Sequence, residues 1–379
     1  MARLGDICIQ ITDGSHNPPM GVEQSNYLML SSKNIDDDYI TLNDPRYLSQ
    51  EDFEAENRRT NIKPNDLLIT IVGTIGRVAI VPNSLTEFCV QRSVAVLKPK
   101  PEIVYNRFLM HYLQSMRPYL EQESRGVAQK GIYLKQLSNL SIILPPLDEQ
   151  RKIAAVLDKV SDLIAKRRQQ LDKLDEMVKS RFIELFGDTP DNEKQTMADI
   201  CKIITDGTHQ PPKFTSTGVP FLFVSNIVTN EIHYDAEKFI SEKTYAELTK
   251  RTPIAIGDIL LSTVGSYGHP AIVKSDKPFC FQRHIAYLKP NADMVNSEYL
   301  RSAILSADVQ RQIDERVKGI AQKTLNISEI RKLRLPVPPV DQQEQFAVFV
   351  AQTDKSKYRQ EKCIGFFQCL EKSIRQEWL

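Results

Sequence analysis

Two short segments of the chain combine side chains that can bind phosphate groups or the edges of nucleic-acid bases. Residues 11–19 read Ile-Thr-Asp-Gly-Ser-His-Asn-Pro-Pro, and residues 204–212 read Ile-Thr-Asp-Gly-Thr-His-Gln-Pro-Pro. Hydroxyl, imidazole and amide groups present donors and acceptors, and Asn or Gln can pair with adenine. The candidate contact residues are Ser15, His16, Asn17, Thr208, His209 and Gln210. The alternative is a structural turn, made tight by Gly14 and Gly207, in which the aspartate caps local amides.

A pair of glycine-bracketed loops offers a second set of candidates. Gly73 and Gly76 enclose two residues and Arg77 follows, while the corresponding residues 265–269 read Gly-Ser-Tyr-Gly-His. The flanks of the two loops match whereas their contents differ. Loops that read different DNA sequences from a shared scaffold should differ in this way, and an ordinary hairpin turn is the alternative. The candidates are Thr74, Arg77, Ser266 and Tyr267.

Polar pairs that follow apolar runs form a third set. Lys33-Asn34 follows one such run and Ser225-Asn226 follows another. Both pairs are expected at strand ends. They either face DNA or form Asx-type turns.

Basic side chains recur in two further places. Arg92 and Arg283 each follow a glutamine in a strand-like context, where an arginine can reach guanine or phosphate or form a structural ion pair under the sheet. Lys130 and Lys323 also follow a glutamine, in a glycine-preceded loop. Lysine in such a loop suits phosphate neutralisation, and a solvated loop is the alternative.

Several patterns that resemble catalytic motifs do not hold. Asn17-Pro18-Pro19 is followed by Met20, whereas amino-methyltransferases place Tyr or Phe there to hold a flipped base. The chain has no glycine-rich strand–turn–helix fingerprint for a cofactor. The Gly73–Gly76 loop lacks the Gly-Lys-[Ser/Thr] of a Walker motif, and the six histidines lack metal-ligand spacing. The sequence therefore predicts no methyl transfer, cofactor or metal within this chain.

Composition bounds the partners and the compartment. The net charge is +1, from 49 Lys and Arg against 48 Asp and Glu, so any DNA-binding face must be local. The chain has no apolar run that could span a membrane and no N-terminal signal region. The six cysteines form no Cys-x-x-Cys pair, which indicates a cytoplasmic protein with reduced thiols.

The elements that position these residues occur twice. Six collinear matches, at offsets between 191 and 193, show one unit written two times. Each unit is predicted to be a mixed α and β domain followed by a long helix, an α+β fold. The predicted boundaries are domains at 1–146 and 188–339, and helices at 147–187 and 340–379.

Heptad spacing predicts how the two long helices pack. In the first helix, apolar residues alternate at four- and three-residue steps, interrupted at Arg167 and Arg181: Ile153, Leu157, Val160, Ile164, Leu171, Leu174, Val178 and Leu185. The second helix carries the same register, with a more polar middle: Phe346, Val350, Thr353, Lys357, Gln360, Ile364, Phe367, Glu371, Ile374 and Trp378. The two helices are expected to pair as an antiparallel coiled coil that separates the domains by a fixed distance.

Each domain joins its long helix through a Pro-Pro junction, which reads Leu-Pro-Pro-Leu-Asp-Glu-Gln at 144–150 and Val-Pro-Pro-Val-Asp-Gln-Gln at 337–343. With these junctions, the order of domains and helices resembles the DNA-specificity subunits of type I restriction-modification systems. The resemblance covers essentially the whole chain. It implies two target recognition domains, each reading one half of a bipartite DNA site, and helices that form the spacer and dock two methyltransferase subunits. Gln342 and Glu344 replace Glu149 and Arg151 at the second junction, so the two docking surfaces need not be equal.

Two similar but diverged units suit two different half-sites at fixed spacing, about one to two helical turns between centres. The resemblance further implies restriction and translocase subunits as partners, with S-adenosylmethionine, ATP and Mg²⁺ bound by partner chains and none by this one. Two alternatives stay open. One is the specificity subunit of a related two-chain system whose partner both methylates and cleaves, and the other is an enzyme that acts alone.

Overall fold

The computed structural model describes residues 1–124, 130–319 and 323–378. The chain forms two compact units, one of Met1–Arg167 with Cys363–Leu379 and one of Arg168–Lys362. Both units have mixed α and β structure with the same order of elements, and each contains parts of both long helices. The predicted fold class is therefore confirmed, whereas the limits of the recognition domains stay a prediction because the compact units divide the helices.

The first unit is built on a four-stranded antiparallel sheet of order β2-β8-β5-β6. A smaller sheet, β4-β3-β7, has β3 and β7 parallel, and β1 pairs with β9. The strands are β1 (Ala2–Arg3), β2 (Cys8–Asp13), β3 (Tyr27–Leu30), β4 (Arg46–Leu48), β5 (Leu67–Thr70), β6 (Val78–Ile80), β7 (Phe88–Val90), β8 (Val94–Pro99) and β9 (Ser141–Ile142). The helices are α1 (Leu4–Ile7), α2 (Gln50–Thr60), α3 (Asn106–Ser115), α4 (Arg117–Glu123), α5 (Leu134–Ser138) and α6 (Leu147–Phe186), with a 3-10 turn at Ser32–Asn34.

Strand β5 explains why the central sheet is stable. Its four residues are all buried, and alternate side chains enter different clusters because successive side chains of a strand point to opposite faces. Leu67 and Ile69 pack with Phe108 of α3, whereas Leu68 packs with Phe88 of β7. The sheet is thus covered on both faces, and its polar loops project from the edges and ends.

The second unit repeats this plan with the sheet β11-β18-β15-β16. Its smaller sheet, β12-β14-β13-β17, gains one strand, and β10 pairs with β19. The strands are β10 (Gln195–Thr196), β11 (Cys201–Asp206), β12 (Phe214–Thr215), β13 (Val219–Leu222), β14 (Phe239–Ile240), β15 (Ile259–Ser262), β16 (Pro270–Ile272), β17 (Cys280–Phe281), β18 (Ile285–Pro290) and β19 (Arg334–Leu335). The helices are α7 (Met197–Ile200), α8 (Glu242–Leu248), α9 (Ser297–Ile304), α10 (Ala307–Arg316), α11 (Ile327–Ile330) and α12 (Val340–Trp378), with 3-10 turns at Asp191–Glu193 and Val224–Asn226.

The long helices α6 and α12 pair in antiparallel fashion, as predicted. In the first unit, residues from the beginning of α6 share a core with residues from the end of α12: Ile153, Leu157, Val160, Ile164, Ile364, Phe367 and Ile374. In the second unit, Val178 near the end of α6 shares a core with Phe346 and Val350 at the beginning of α12. Leu171 and Leu174, in the middle of α6, are half-buried. With 40 residues, α6 is about 60 Å long at 1.5 Å per residue.

The predicted register fails at the end of α6. Leu185 was placed in the seam, but it is 43% exposed, while Phe182 and Phe186 are buried. An α-helix has 3.6 residues per turn, so a strict 3.5-residue repeat drifts off the packed face over several turns. Phe182 and Phe186, one position beyond Arg181 and Leu185, instead pack against Phe346 of α12. Trp378, the last predicted seam position of α12, also keeps 38% of its surface exposed.

The glutamine that ends each Pro-Pro junction motif joins the long helix to its domain. The Gln343 side chain is fully buried; its oxygen accepts from the Asn296 amide at 2.8 Å, and its nitrogen donates to the carbonyls of Met294 and Pro338. Gln150 makes the corresponding three hydrogen bonds in the first unit. The shared motif thus has a structural role at this position.

Replacing Gln343 by alanine is expected to lower the free energy of unfolding of the second unit by about 2 kcal/mol, because three buried backbone groups lose their partner. Urea denaturation followed by circular dichroism measures the change. Gln342→Ala is the matched control, since Gln342 is exposed and adjacent. Equal effects of the two substitutions would contradict the assignment.

Candidate nucleic-acid interface

Backbone hydrogen bonds join two of the repeated motifs in each unit. Ser15 donates its amide to the last carbonyl of β7 at 2.9 Å and accepts from the amide of Arg92 at 2.9 Å. In the second unit Thr208 donates to the last carbonyl of β17 at 3.2 Å and accepts from Arg283 at 3.1 Å. The Asp-Gly-[Ser/Thr]-His segment and the Gln-Arg segment, about 75 residues apart in sequence, therefore form one surface.

The glycine of this motif is needed for a close backbone approach. A Cβ on Gly14 would lie 1.8 Å from the carbonyl oxygen of Val90, and one on Gly207 would lie 2.3 Å from that of Phe281. Neither glycine has a positive φ. A left-handed backbone is therefore not what requires glycine here, and the requirement is the space that a side chain would occupy.

The aspartate of the motif holds a histidine and an arginine side chain. The Asp13 carboxylate, which is nearly buried, accepts from His16 Nε2 at 2.7 Å and from Arg59 Nη2, at the end of α2, at 2.6 Å. His16 and Arg59 keep about half of their side-chain surface exposed. They border an open cavity of about 370 Å³, whose other lining residues are Asp13, Gly14, Ser15, Asn17, Ala55 and Glu56. Exposed donors thus surround a space that is open to solvent.

The second unit contains the same cluster. Asp206 pairs with His209 at 2.9 Å and with Arg251 at 2.8 Å, and the histidine and arginine side chains are again about half exposed. The sequence reasoning missed Arg59 and Arg251. A signal was present, because Arg59-Thr60 recurs as Arg251-Thr252 at the repeat offset. The alternative prediction made each aspartate a cap for local amides; in the structure its carboxylate instead pairs with a histidine and an arginine side chain.

The glycine-bracketed loops share one backbone and differ in their side chains. Gly73 and Gly76 have φ of 84° and 82°, and Gly265 and Gly268 have φ of 73° and 81°, values that other residues rarely adopt. In each unit, the residue after the second glycine donates its amide to a hydroxyl at the end of the preceding strand. Arg77 donates to Thr70 Oγ1, and His269 donates to Ser262 Oγ. The loops are therefore equivalent scaffolds.

The candidate side chains of these loops differ in their freedom to bind a ligand. Thr74 and Ser266 are exposed. Arg77 is paired with Asp36 at 2.7 Å, and the Tyr267 hydroxyl donates to Asp314 at 3.0 Å. Thr74 and Ser266 are therefore the more available candidates.

The segment that carries the predicted lysines lies beside these loops. Val72 bridges to Gly131, next to Lys130, and Gly265 donates its amide to the carbonyl of Lys323 at 3.1 Å. Both lysines are exposed, and Lys323 Nζ lies 6.0 Å from the centre of the Tyr267 ring. Gln129 and Gln322, which precede the lysines, lie outside the described residues.

Two asparagine candidates have structural roles. Asn34 is 2% exposed; its amide oxygen accepts from the Ser31 amide and its nitrogen donates to the Asn43 carbonyl. Asn226 likewise uses both ends of its amide, accepting from the Phe223 amide and donating to the His233 carbonyl. The Asx-type turn is thus observed for both residues; Asn34 is buried away from DNA, whereas Asn226 is half-buried and its DNA contact stays a prediction. Their neighbours Lys33 and Ser225 are exposed and stay candidates.

The two arginines beside the Asp-His-Arg clusters point away from the sheet core. Arg92 and Arg283 are both exposed, and no ion pair within the described part of the chain includes either of them. The alternative of an ion pair under the sheet is thus not observed. Arg283 Nε lies 3.4 Å from His284 Nε2. Burial, aided by the Arg283 charge, lowers the pKa of His284 below its usual range, so this imidazole is neutral at physiological pH.

No group of three or more histidine, cysteine or acidic side chains is placed to hold a metal ion within residues 1–124, 130–319 and 323–378. In the same ranges, no helix combines the length and apolar character needed to cross a bilayer.

Burial raises the pKa of four thiols to about 12, those of Cys8, Cys89, Cys201 and Cys280. These thiols stay protonated at neutral pH.

Two known proteins are similar to this chain in sequence. The EcoBI specificity subunit of Escherichia coli, a type I restriction enzyme subunit, is 37% identical over 121 residues, which span 31% of this chain and 25% of that protein. The MjaVIII specificity subunit of Methanocaldococcus jannaschii is 20% identical over 318 residues, which span 77% of this chain and 72% of that protein. The first alignment thus spans only a quarter of the E. coli relative.

Two solved structures share the fold. A chain from a structure on complex assembly and conformational transition of the type I R-M system aligns with a TM-score of 0.57 at 17% identity, over 99% of this chain and 96% of that one. The type I restriction-modification S subunit from M. genitalium aligns with a TM-score of 0.52 at 14% identity, over 99% and 94%. Residues 24–175 and 190–363 each match the family described as type I restriction modification DNA specificity domain. With both halves matched, the chain belongs to the type I restriction-modification DNA specificity family.

Proposed function

We propose that this chain is the specificity subunit of a type I restriction-modification complex, which reads an asymmetric bipartite DNA site with one half-site per recognition domain and has no catalytic activity alone. The observation that carries the proposal is a scaffold present twice with different exposed loop residues. Thr74 and Ser266 occupy the same position on loops that share a hydrogen bond and the backbone angles of their glycines. Two equivalent scaffolds with different contacts suit two different half-sites.

The proposal includes two methyltransferase subunits and restriction and translocase subunits as cytoplasmic partners. In the second unit, Ile183 of α6 and Val348 of α12 are 57% and 58% exposed. In the first unit, Val156 and Phe366 of the same helices are 40% and 64% exposed. Large exposed apolar side chains on helices favour protein contacts. S-adenosylmethionine, ATP and Mg²⁺ are proposed to bind the partner chains.

Two other functions are separable by experiment. Incubation of the purified chain with a labelled methyl donor and mixed DNA would show transfer if the chain were an enzyme acting alone. Co-purification with a single partner that both methylates and cleaves would indicate the related two-chain system. Co-purification with separate methyltransferase and restriction subunits supports the proposal.

Exchange of residues 74–77 for the Ser-Tyr-Gly-His of residues 266–269 is expected to change the half-site recognised on one side only. Gly76, which needs a positive φ, is kept, so the loop backbone should be retained, while the exposed Thr74, the buried Ile75 and the Asp36-paired Arg77 are all replaced. Methylome sequencing of cells that carry the variant measures both half-sites.

The reverse exchange, with residues 74–77 placed at 266–269, is the matched control and should change only the other half-site. A change in both half-sites, or in neither, would show that the loops do not read sequence.

A further inference from the structure

We propose that the Asp-held histidine and arginine form a phosphate clamp in each domain: His16 with Arg59, and His209 with Arg251, contact the DNA backbone regardless of sequence. The inference rests on the proposed function, because it names the part of the DNA that these residues bind. It also assigns Asp13 and Asp206 as positioning residues.

The geometry presents unused donors to solvent. In the first unit one oxygen of Asp13 accepts from His16 Nε2 and the other accepts from Arg59 Nη2. A guanidinium has five N–H donors, so Arg59 keeps donors free for a phosphate, whereas the Nδ1 of His16 donates only when the ring is protonated. The carboxylate therefore fixes both side chains in place, and about half of each stays available to an acceptor.

The duplication argues for a backbone contact and against base reading. The aspartate, histidine and arginine are identical in type in the two units, with ion-pair distances that agree within 0.2 Å for each pair, at 2.7 and 2.9 Å for histidine and 2.6 and 2.8 Å for arginine. The exposed residues of the glycine-bracketed loops differ instead, as Thr74 and Ser266 show. Phosphates are the same in every half-site, whereas bases are not.

The position of the cluster agrees with this division of roles. Hydrogen bonds fix the Ser15 loop to the segment of the exposed Arg92, and the Thr208 loop to that of the exposed Arg283. Each clamp thus lies next to a further cation that can reach the same DNA.

The test measures binding of the full chain, alone and with its methyltransferase partner, to two fluorescently labelled duplexes. One carries the mapped target, and the other has both half-sites scrambled. Arg59→Ala is expected to weaken binding about fivefold to both duplexes, as for the loss of one hydrogen bond of ordinary strength at a half-exposed site. The slope of log affinity against log salt should fall by about one. Arg251→Ala should act in the same way, and the double variant by about 25-fold.

Neighbouring cations supply matched controls. Arg58 and Lys250 are exposed and adjacent to the clamp arginines, so their alanine variants remove the same charge without removing the held side chain. Their effects should be clearly smaller. Equal effects of Arg58→Ala and Arg59→Ala, a loss confined to the target duplex, or no loss would each overturn the clamp.

Glu56 gives a test that does not depend on destabilised variants. It lines the cavity beside His16 and Arg59, where its charge would oppose a phosphate. Glu56→Gln is expected to tighten binding to both duplexes about twofold. Unchanged or weaker binding would contradict a phosphate in this cavity. Failure of the wild-type chain to bind either duplex, with or without its partner, would instead contradict the proposed function.

Discussion

Phe346→Ala is expected to destabilise the second unit by about 4 kcal/mol, the largest effect of a single substitution that we predict. The ring is 1% exposed and its centre lies 5.6 Å from that of Phe182, 5.7 Å from Phe186 and 6.4 Å from Tyr299. These residues come from α6, α9 and α12, so the cavity would lie where both long helices meet the domain. Urea denaturation followed by far-ultraviolet circular dichroism measures the loss.

Val348→Ala is the control for this substitution. Val348 lies two residues away on the same helix and is 58% exposed, so its removal should change stability by no more than about 0.5 kcal/mol. If the two variants unfold at the same urea concentration, the aromatic cluster does not stabilise the helix junction.

Asp158→Ala is expected to destabilise the first unit by about 3 kcal/mol, because it leaves a buried histidine and an arginine without their anion. The Asp158 carboxylate accepts from His111 Nε2 and from Arg107 Nε and Nη2, each at 2.6 Å. The His111 side chain is 1% exposed. Arg375 of α12 donates to the His111 carbonyl, so the cluster joins α3 to both long helices within this unit.

The stability that Asp158 supplies should depend on pH with a definite sign. Burial alone would raise the pKa of Asp158, but hydrogen bonds from His111 and Arg107 outweigh it and hold the pKa below the ordinary value of 3.8. A lowered folded-state pKa gives stability that is present above the unfolded-state value and lost as pH falls through the folded-state value. The difference between wild type and Asp158→Asn should therefore shrink as the pH falls below about 4.

Trp378, the only tryptophan, belongs to the first unit, so its fluorescence can report unfolding there. Asp162→Ala removes a similar charge one turn later, from an exposed position, and should leave the transition nearly unchanged. An Asp158→Ala variant as stable as Asp162→Ala at neutral pH would show that the ion-pair cluster contributes no stability.

The sequence alone determined the duplicated α+β plan, the two long helices and most of their seam. These follow from local signals: the repeat offset, the prolines before α6 and α12, and heptad spacing. Ile153 and Val350 are buried where that spacing placed them. The register failed at Leu185 because small differences in helical period accumulate along 40 residues.

The tertiary structure decided which polar side chains remain available to DNA. Asn34 and Arg92 are equally plausible contacts as residue types, but the fold buries one and exposes the other. The recurrence of Arg59 at the repeat offset did not reveal its partner, which is Asp13, 46 residues away in sequence and brought close by α2. Periodic burial leaves a signal in the spacing of apolar residues, whereas a hydrogen bond between distant side chains depends on the packing of whole elements and leaves no such pattern.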